Sequence, residues 1–270
     1  MTVSGIDWED AFLNGAYIPD GDRYPEHWRQ SAETFRSSAK CQLDISYADH
    51  ERAVLDVFHP SGTSRGLAVI VHGGYWLQLD KSSWSDLAEG ALGHQWTVAV
   101  PSYPLAPEAS VAEITRHVGL AISHVARSVN GPIRLVGHSA GGHLVSRMMC
   151  DNAPVPPEIS SRIERIISIS GLHDLRPLRI HSMNDQLGIS EEIALTESPA
   201  LRDPIQGPEF VAWVGELERP EFLRQSSLIV EAWRRKNAAA RLVVEAQRHH
   251  FNVIDGLKDY QHPLAMAFAD

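Results

Sequence analysis

Residues 133–143 read IRLVGHSAGGH, a short apolar run that leads into small residues around one serine. The apolar run is rich in β-branched and aliphatic side chains, as is typical of a buried strand. Gly137–Gly141 matches the pattern G-x-S-x-G, in which a serine lies at a sharp strand-to-helix turn. Only residues without bulky side chains fit beside such a turn. The stretch therefore predicts a strand, a turn that exposes the Ser139 hydroxyl, and a helix.

The residues after the turn support this prediction, because apolar side chains recur at helical spacing over 144–149. A helix that begins at residue 140 directs its first N–H groups, starting with that of Ala140, towards a ligand at the serine. Ser139 is therefore the candidate nucleophile, and the Ala140 N–H is a candidate donor to an oxyanion.

Length and charge exclude several classes of protein. The chain has 270 residues, enough to bury the core of one α/β domain over 1–270 without disulfides or metals. Its 24 basic and 34 acidic residues give a net charge of −10, and the one basic cluster is Arg234–Lys236. This charge therefore predicts neither a nucleic-acid nor a membrane partner, and the expected partner is a small-molecule substrate. The oligomeric state stays open, a homodimer included.

The cysteines and the first residues bear on the compartment. Cys41 and Cys150 lie far apart and form no C-x-x-C pair, which indicates a reducing environment. The chain begins without a basic and apolar leader, and it contains no apolar run of 18 residues. These features predict a cytoplasmic protein.

The N-terminal segment, residues 1–40, is rich in aromatic and charged residues and precedes the first strand signal. Aromatic and small apolar residues recur at helical spacing from Tyr24 to Ala39, which predicts one helix with an aromatic stripe. This stripe could be plain core packing, a cap that narrows the mouth of an active site, or both. Residues 41–270 form the expected core of the domain.

Eight strands are predicted in that core, and the first two are close enough to form a hairpin. The strands are Leu43–Tyr47, Val54–Phe58, Leu67–His72, Thr97–Val100, Ile133–Gly137, Ile166–Ser170, Val211–Gly215 and Leu242–Ala246. Helices are predicted over 82–93, 110–128, 140–150, 221–236 and 263–269, and 174–208 is expected to be irregular. Helix-length separations between later strands indicate parallel pairing through right-handed crossovers. The expected fold is a mostly parallel α/β sheet with helices on both faces.

A second motif, HGGYW at 72–76, follows the third predicted strand directly. Two consecutive glycines let the backbone approach a ligand closely, so the N–H groups of Gly73 and Gly74 can face the oxyanion served by Ala140. The alternative is a simple Gly-Gly turn. We expect His72 to be a structural hydrogen-bonding residue and not a base.

Together these motifs resemble a known family. HGGYW at 72–76, GHSAGGH at 137–143 and YPLAPE at 103–108 are similar to the kynurenine formamidase (arylformamidase) group of α/β hydrolases, which is related to hormone-sensitive-lipase-like esterases. The segments GELERPEFLRQS at 215–226 and HFNVI at 250–254 also resemble that group, so the likeness covers most of residues 40–260. It implies an α/β-hydrolase fold and an N-formyl arylamine substrate similar to N-formyl-kynurenine.

A serine nucleophile needs a histidine base, and the base needs a carboxylate that orients it. In this fold the chain order is serine, acid, histidine, and His250 follows the last predicted strand, with His249 as the alternative. The acid should follow the seventh strand, where the family usually carries aspartate and this chain has Glu218. Glu216 and Asp174 remain alternatives for the acid.

These residues predict a serine hydrolase that cleaves a carboxylic ester or an activated amide through an acyl-enzyme intermediate. Tyr75 and Trp76, with Trp213, are candidates for aromatic packing against the substrate. No cofactor or metal is expected. The alternatives are a general carboxylesterase of small acyl esters and a non-catalytic binding protein of the same fold.

Overall fold

The eight predicted strands all form and join one sheet in the order β1-β2-β4-β3-β5-β6-β7-β8. A computed structural model describes residues 5–270, so residues 1–4 of the predicted N-terminal segment lie outside the described part. The strands are β1 (Cys41–Ser46), β2 (Val54–Phe58), β3 (Leu67–Val71), β4 (Thr97–Pro101), β5 (Ile133–His138), β6 (Ile163–Ile169), β7 (Glu209–Gly215) and β8 (Ala240–Glu245). β1 and β2 pair antiparallel, as do β2 and β4, and the other neighbours are parallel. The predicted sheet is thereby confirmed.

Helices cover the sheet on both sides. They are α1 (Trp8–Ala11), α2 (Tyr24–Ser38), α3 (Glu89–Gly93), α4 (Val111–Ala126), α5 (Ala140–Arg147), α6 (Pro157–Ser160), α7 (Asn184–Leu187), α8 (Glu191–Thr196), α9 (Pro220–Arg234) and α10 (Pro263–Ala269). α4 begins with a capping box between Ser110 and Glu113, which satisfies free N–H groups of its first turn. No helix in the described chain is long and apolar enough to cross a membrane.

Two predicted segments differ from the structure. The helix expected over 82–93 is two 3-10 turns, Lys81–Ser83 and Ser85–Ala88, followed by α3. The break lies at Trp84, whose φ of −129° is not helical and whose ring is buried in the core. The segment 174–208, expected to be irregular, contains the short helices α7 and α8.

The sheet separates two apolar cores. In β3, Val69 and Val71 belong to the core under α4, α5 and α9, while Ala68 and Ile70 belong to the core under α2, α3 and α10. Successive side chains of a strand point to opposite faces, so a strand covered on both sides needs apolar residues throughout. This double burial explains the unbroken apolar sequence of β3.

The predicted N-terminal helix forms as α2 and lies across the second core. Trp28 packs against Trp84 with ring centroids 5.7 Å apart, and Phe35 packs against Phe58 at 5.5 Å. Before α2 the chain forms α1 and two short 3-10 turns, Gly15–Tyr17 and Gly21–Arg23. Gly15 of the first turn and Pro25 at the start of α2 lie beside the residues that follow β5 and β8, at the edge of the sheet where these strands end.

Candidate active site

Ser139 lies at the predicted turn between β5 and α5. Its backbone has φ 55° and ψ −118°, a conformation that non-glycine residues rarely adopt. The turn is held because the Ser139 N–H donates to the Ile169 carbonyl at 2.8 Å. A Cβ at Gly137 would lie 2.1 Å from the Gly141 carbonyl oxygen, and a Cβ at Gly141 would lie 2.1 Å from that of Val71. The two glycines are therefore a steric requirement of this turn.

His250 and Glu218 form a buried hydrogen-bonded pair beside the turn. Nδ1 of His250 donates to Oε2 of Glu218 at 2.7 Å, and both side chains are nearly inaccessible to solvent. The imidazole packs against the rings of His138 and Phe222, each with its centroid 4.5 Å away. Because Nδ1 is engaged by Glu218, Nε2 is the nitrogen left to face the cavity that Ser139 also lines. In the described chain no hydrogen bond joins Ser139 to His250 directly.

Glu218 is itself fixed by two donors. Its Oε1 accepts a hydrogen bond from the Gly215 N–H at 2.9 Å and another from the Ser170 hydroxyl. Gly215 ends β7, and a Cβ there would lie 2.2 Å from the Arg248 carbonyl oxygen. Sequence reasoning missed Ser170. The signal that could have found it is its position, immediately after β6 and therefore beside the end of β7.

The alternative acids and the alternative base lie in other surroundings. Burial raises the pKa of Asp174, but hydrogen bonds from the Arg176 guanidinium at 2.8 and 2.9 Å and from the Arg176 N–H hold that pKa below its ordinary value. Glu216 is exposed and accepts the Gln247 N–H. His249 accepts the Phe251 N–H on Nδ1 and lies 3.3 Å from the Tyr24 hydroxyl on Nε2.

The HGGYW loop lies against the serine turn. A Cβ at Gly73 would lie 3.2 Å from the Cβ of Ser139 and 3.0 Å from the His138 carbonyl oxygen, so a larger residue there would crowd the serine turn. Gly74, Tyr75 and Trp76 have φ values of 104°, 52° and 60°, three consecutive residues in the left-handed region. Such conformations are costly and persist where surrounding contacts impose them.

His72 has the structural role expected from the sequence. Its ring stacks on Tyr103 with centroids 4.1 Å apart, and Nδ1 lies 2.8 Å from the Gly73 carbonyl oxygen. Complete burial lowers the pKa of His72 to about 4, so the ring is neutral near neutral pH.

A cavity of about 570 Å³ opens above Ser139 and His250. Its walls are largely apolar and aromatic, and many of them come from the N-terminal segment. The lining residues are Glu9, Phe12, Leu13, Asn14, Gly15, Pro25, Trp28, Gly74, Tyr75, Gln78, Leu79, Trp84, His138, Ser139, His181, Ser182, Met183, His250 and Phe251. A cavity of this size suits a small organic ligand.

Of the aromatic residues expected to contact substrate, Tyr75 lines the cavity and Trp76 does not. Trp76 is fully buried, with its ring edge-on to His143 at 5.1 Å. The expectation for Trp76 is therefore wrong, because this ring is buried against His143 in the interior and not in the cavity wall. Trp213 also lies away from the cavity, and its Nε1–H donates to Glu245 at 2.6 Å.

Comparison with known proteins places this arrangement in a family. Residues 68–268 match the sequence profile of the Alpha/beta hydrolase family. The chain belongs to this family. The strand order and the position of Ser139 after β5 agree with that membership.

Within the Alpha/beta hydrolase family, the chain is similar to kynurenine formamidases. It is 28% identical to the kynurenine formamidase of Danio rerio over 87% of this chain and 83% of that protein. The Salmo salar enzyme is 27% identical over the same shares. A crystal structure of a provisionally assigned thioesterase from Silicibacter sp. tm1040 superposes with a TM-score of 0.94 at 44% identity, covering 98% of this chain and 100% of that one.

Proposed function

We propose that this chain is a serine hydrolase that cleaves N-formyl arylamines of the N-formyl-kynurenine type. The proposal rests on the buried Glu218–His250 pair, because His250 and Ser139 line the same aromatic-walled cavity. Glu218 would fix the imidazole so that Nε2 accepts the proton of the serine hydroxyl.

In the proposed reaction, Oγ of Ser139 forms a bond to the formyl carbon while its proton passes to Nε2 of His250. The resulting oxyanion lies at the first N–H of α5, that of Ala140, and at those of Gly73 and Gly74. Each such donor is typically worth about 3 kcal/mol of transition-state stabilisation. The C–N bond then breaks as His250 returns the proton to the amine nitrogen. A water molecule, deprotonated by His250, hydrolyses the formyl ester and releases formate.

Support for an aryl substrate comes from the cavity and from the relatives. Trp28, Tyr75, Trp84 and Phe251 offer aromatic surface to a ring in the cavity. The kynurenine formamidases of two fishes are similar to this chain over most of its length. The 44% identical structure, a provisionally assigned thioesterase, favours a second candidate, the hydrolysis of thioesters or other acyl esters by the same residues.

The test is a substrate panel with N-formyl-kynurenine, p-nitrophenyl acetate and a short acyl thioester. We expect the highest kcat/KM on N-formyl-kynurenine. If the ester or thioester is preferred by about 100-fold, equivalent to about 2.7 kcal/mol of transition-state binding, the second candidate is correct. Ser139→Ala should remove turnover of all three, and an organophosphonate should label Ser139 alone.

The role of Glu218 can be tested with Glu218→Gln, for which Asp174→Asn is the matched control. Glu218→Gln keeps the shape but removes the charge that orients His250, and the corresponding change in a serine protease costs about 10⁴ in kcat. Asp174→Asn removes a buried carboxylate that is bound to Arg176, so it should leave kcat within a few-fold. If the two variants behave in the opposite way, the assignment of the acid is wrong.

A further inference from the structure

Ser170 is a buried hydroxyl whose position is fixed independently of the acid it contacts. It directly follows β6, is fully inaccessible to solvent and has a φ of 51°. Its N–H donates to the Trp213 carbonyl at 2.7 Å, which ties this residue to β7. Its hydroxyl donates to Oε1 of Glu218. The backbone hydrogen bond to β7 therefore fixes the position from which the Ser170 hydroxyl reaches the acid.

We propose that Ser170 is a positioning residue that allows a glutamate to act as the triad acid. This inference rests on the proposed serine mechanism. Ser170 and the Gly215 N–H both bind Oε1, which leaves Oε2 as the oxygen that receives Nδ1–H of His250. The two oxygens therefore have separate partners.

The extra methylene of glutamate is the reason such a device is needed. A glutamate side chain has one more rotatable torsion than aspartate, so its carboxylate can occupy more positions relative to the backbone. Fixing a rotatable side chain costs conformational entropy, which binding partners must offset. Gly215 binds Oε1 from the acid's own turn, and Ser170 binds it from the neighbouring strand end. Two donors in different directions fix the plane of the carboxylate.

A purely structural role would have a different signature. If Ser170 only satisfied a buried polar atom, its removal would lower stability and would lower activity equally with either acid at position 218. If it positions the glutamate, its removal matters when position 218 is glutamate and matters little when it is aspartate. The carboxylate of an aspartate at position 218 would lie one methylene closer to the backbone and away from the Ser170 hydroxyl, so the proposal predicts that the activity left in Glu218→Asp does not depend on Ser170.

The experiment is a double-mutant cycle of Ser170→Ala and Glu218→Asp in the full chain. On the best substrate of the panel, Ser170→Ala should lower kcat by about 10- to 100-fold with KM within about twofold, the loss expected for one charge-assisted hydrogen bond. In the Glu218→Asp background the same substitution should cost less than about threefold. The downfield ¹H NMR signal of the His250 Nδ1 proton should shift or broaden in Ser170→Ala.

Ser170→Gly is the second variant, because glycine accepts the positive φ and also lacks the hydroxyl. It should reproduce the loss of kcat, which separates the hydroxyl from backbone strain. Equal losses in both acid backgrounds, or wild-type kcat and an unchanged Nδ1 signal in Ser170→Ala, would overturn the proposal. Normal turnover by Glu218→Gln would instead overturn the proposed mechanism, whatever Ser170 does.

Discussion

Glu9 and Ser182 join the two sides of the cavity mouth. The Glu9 carboxylate accepts the Ser182 N–H at 2.6 Å and the Ser182 hydroxyl at 2.7 Å, and it lies 3.5 Å from His181. The hydroxyl and then the N–H of Ser182 lower the pKa of Glu9, so the carboxylate is ionised near neutral pH. Among the described residues that line the cavity there is no lysine or arginine. Glu9 is therefore the one carboxylate in the described cavity lining, and no lysine or arginine of that lining offsets its negative charge.

This charge predicts discrimination between substrates. On formanilides that carry matched cationic, neutral or anionic groups, kcat/KM should be highest for the cation and lowest for the anion. Glu9→Gln should reduce the cation-to-anion ratio about three- to tenfold, with the neutral substrate little changed. Ser182→Ala is the control, because it removes a hydrogen bond at this contact and keeps the charge. An unchanged ratio in Glu9→Gln would contradict the prediction, and phenyl esters with the same groups allow the same measurement.

Tyr75 and Trp76 are adjacent, but substitution of Tyr75 should change KM, whereas substitution of Trp76 should change the stability of the fold. The Tyr75 hydroxyl donates to the Phe12 carbonyl at 2.7 Å and accepts from Nδ2 of Asn14 at 3.3 Å, so it holds the N-terminal segment over the cavity. Tyr75→Phe removes both bonds and should raise KM about three- to tenfold with kcat little changed.

Trp76→Phe removes atoms from a fully buried ring that is outside the cavity. It should lower the free energy of unfolding by about 1–2 kcal/mol and leave KM unchanged. Steady-state kinetics and urea unfolding of the two variants decide the matter. A raised KM in Trp76→Phe with normal stability would show that Trp76 contacts the substrate after all.

The sequence predicts what is local or repeats along the chain. The turn at Ser139 is encoded in adjacent residues, and the strands follow from apolar runs, so the sheet is predicted to within a few residues at each end. The order of Ser139, Glu218 and His250 follows from the ends of β5, β7 and β8, because parallel strands bring their carboxyl ends to one edge.

Contacts between irregular segments are not encoded in this way. The directions of Tyr75 and Trp76 depend on consecutive left-handed residues, for which no side-chain period exists. Glu9 and Ser182 are 173 positions apart, and neither lies in a strand or a long helix. Ser170 contacts Glu218 because β6 pairs with β7, and the register of that pairing is needed to predict the contact. These contacts depend on where the sheet places its connecting loops relative to one another.

The buried histidines predict a steep loss of stability in acid. Burial lowers the pKa of His72 and of His143 to about 4 and that of His173 to about 3. In the unfolded chain a histidine titrates near about 6.5, so below that pH the unfolded state binds protons that the folded state excludes. The stability contributed by these residues is therefore complete above about pH 6.5 and falls as the pH drops towards 4.

Each such histidine should lower the free energy of unfolding by about 1.4 kcal/mol per pH unit in this range, so several together are a large fraction of the stability of a typical domain. Urea unfolding between pH 7 and 5 measures the slope. His173→Gln should be less stable at pH 7, because the ring is hydrogen-bonded to Ser168, but its slope should be lower by about one proton. His27→Gln, at an exposed position, should leave the slope unchanged. Equal slopes for His173→Gln and wild type would show that His173 takes up its proton in the folded protein.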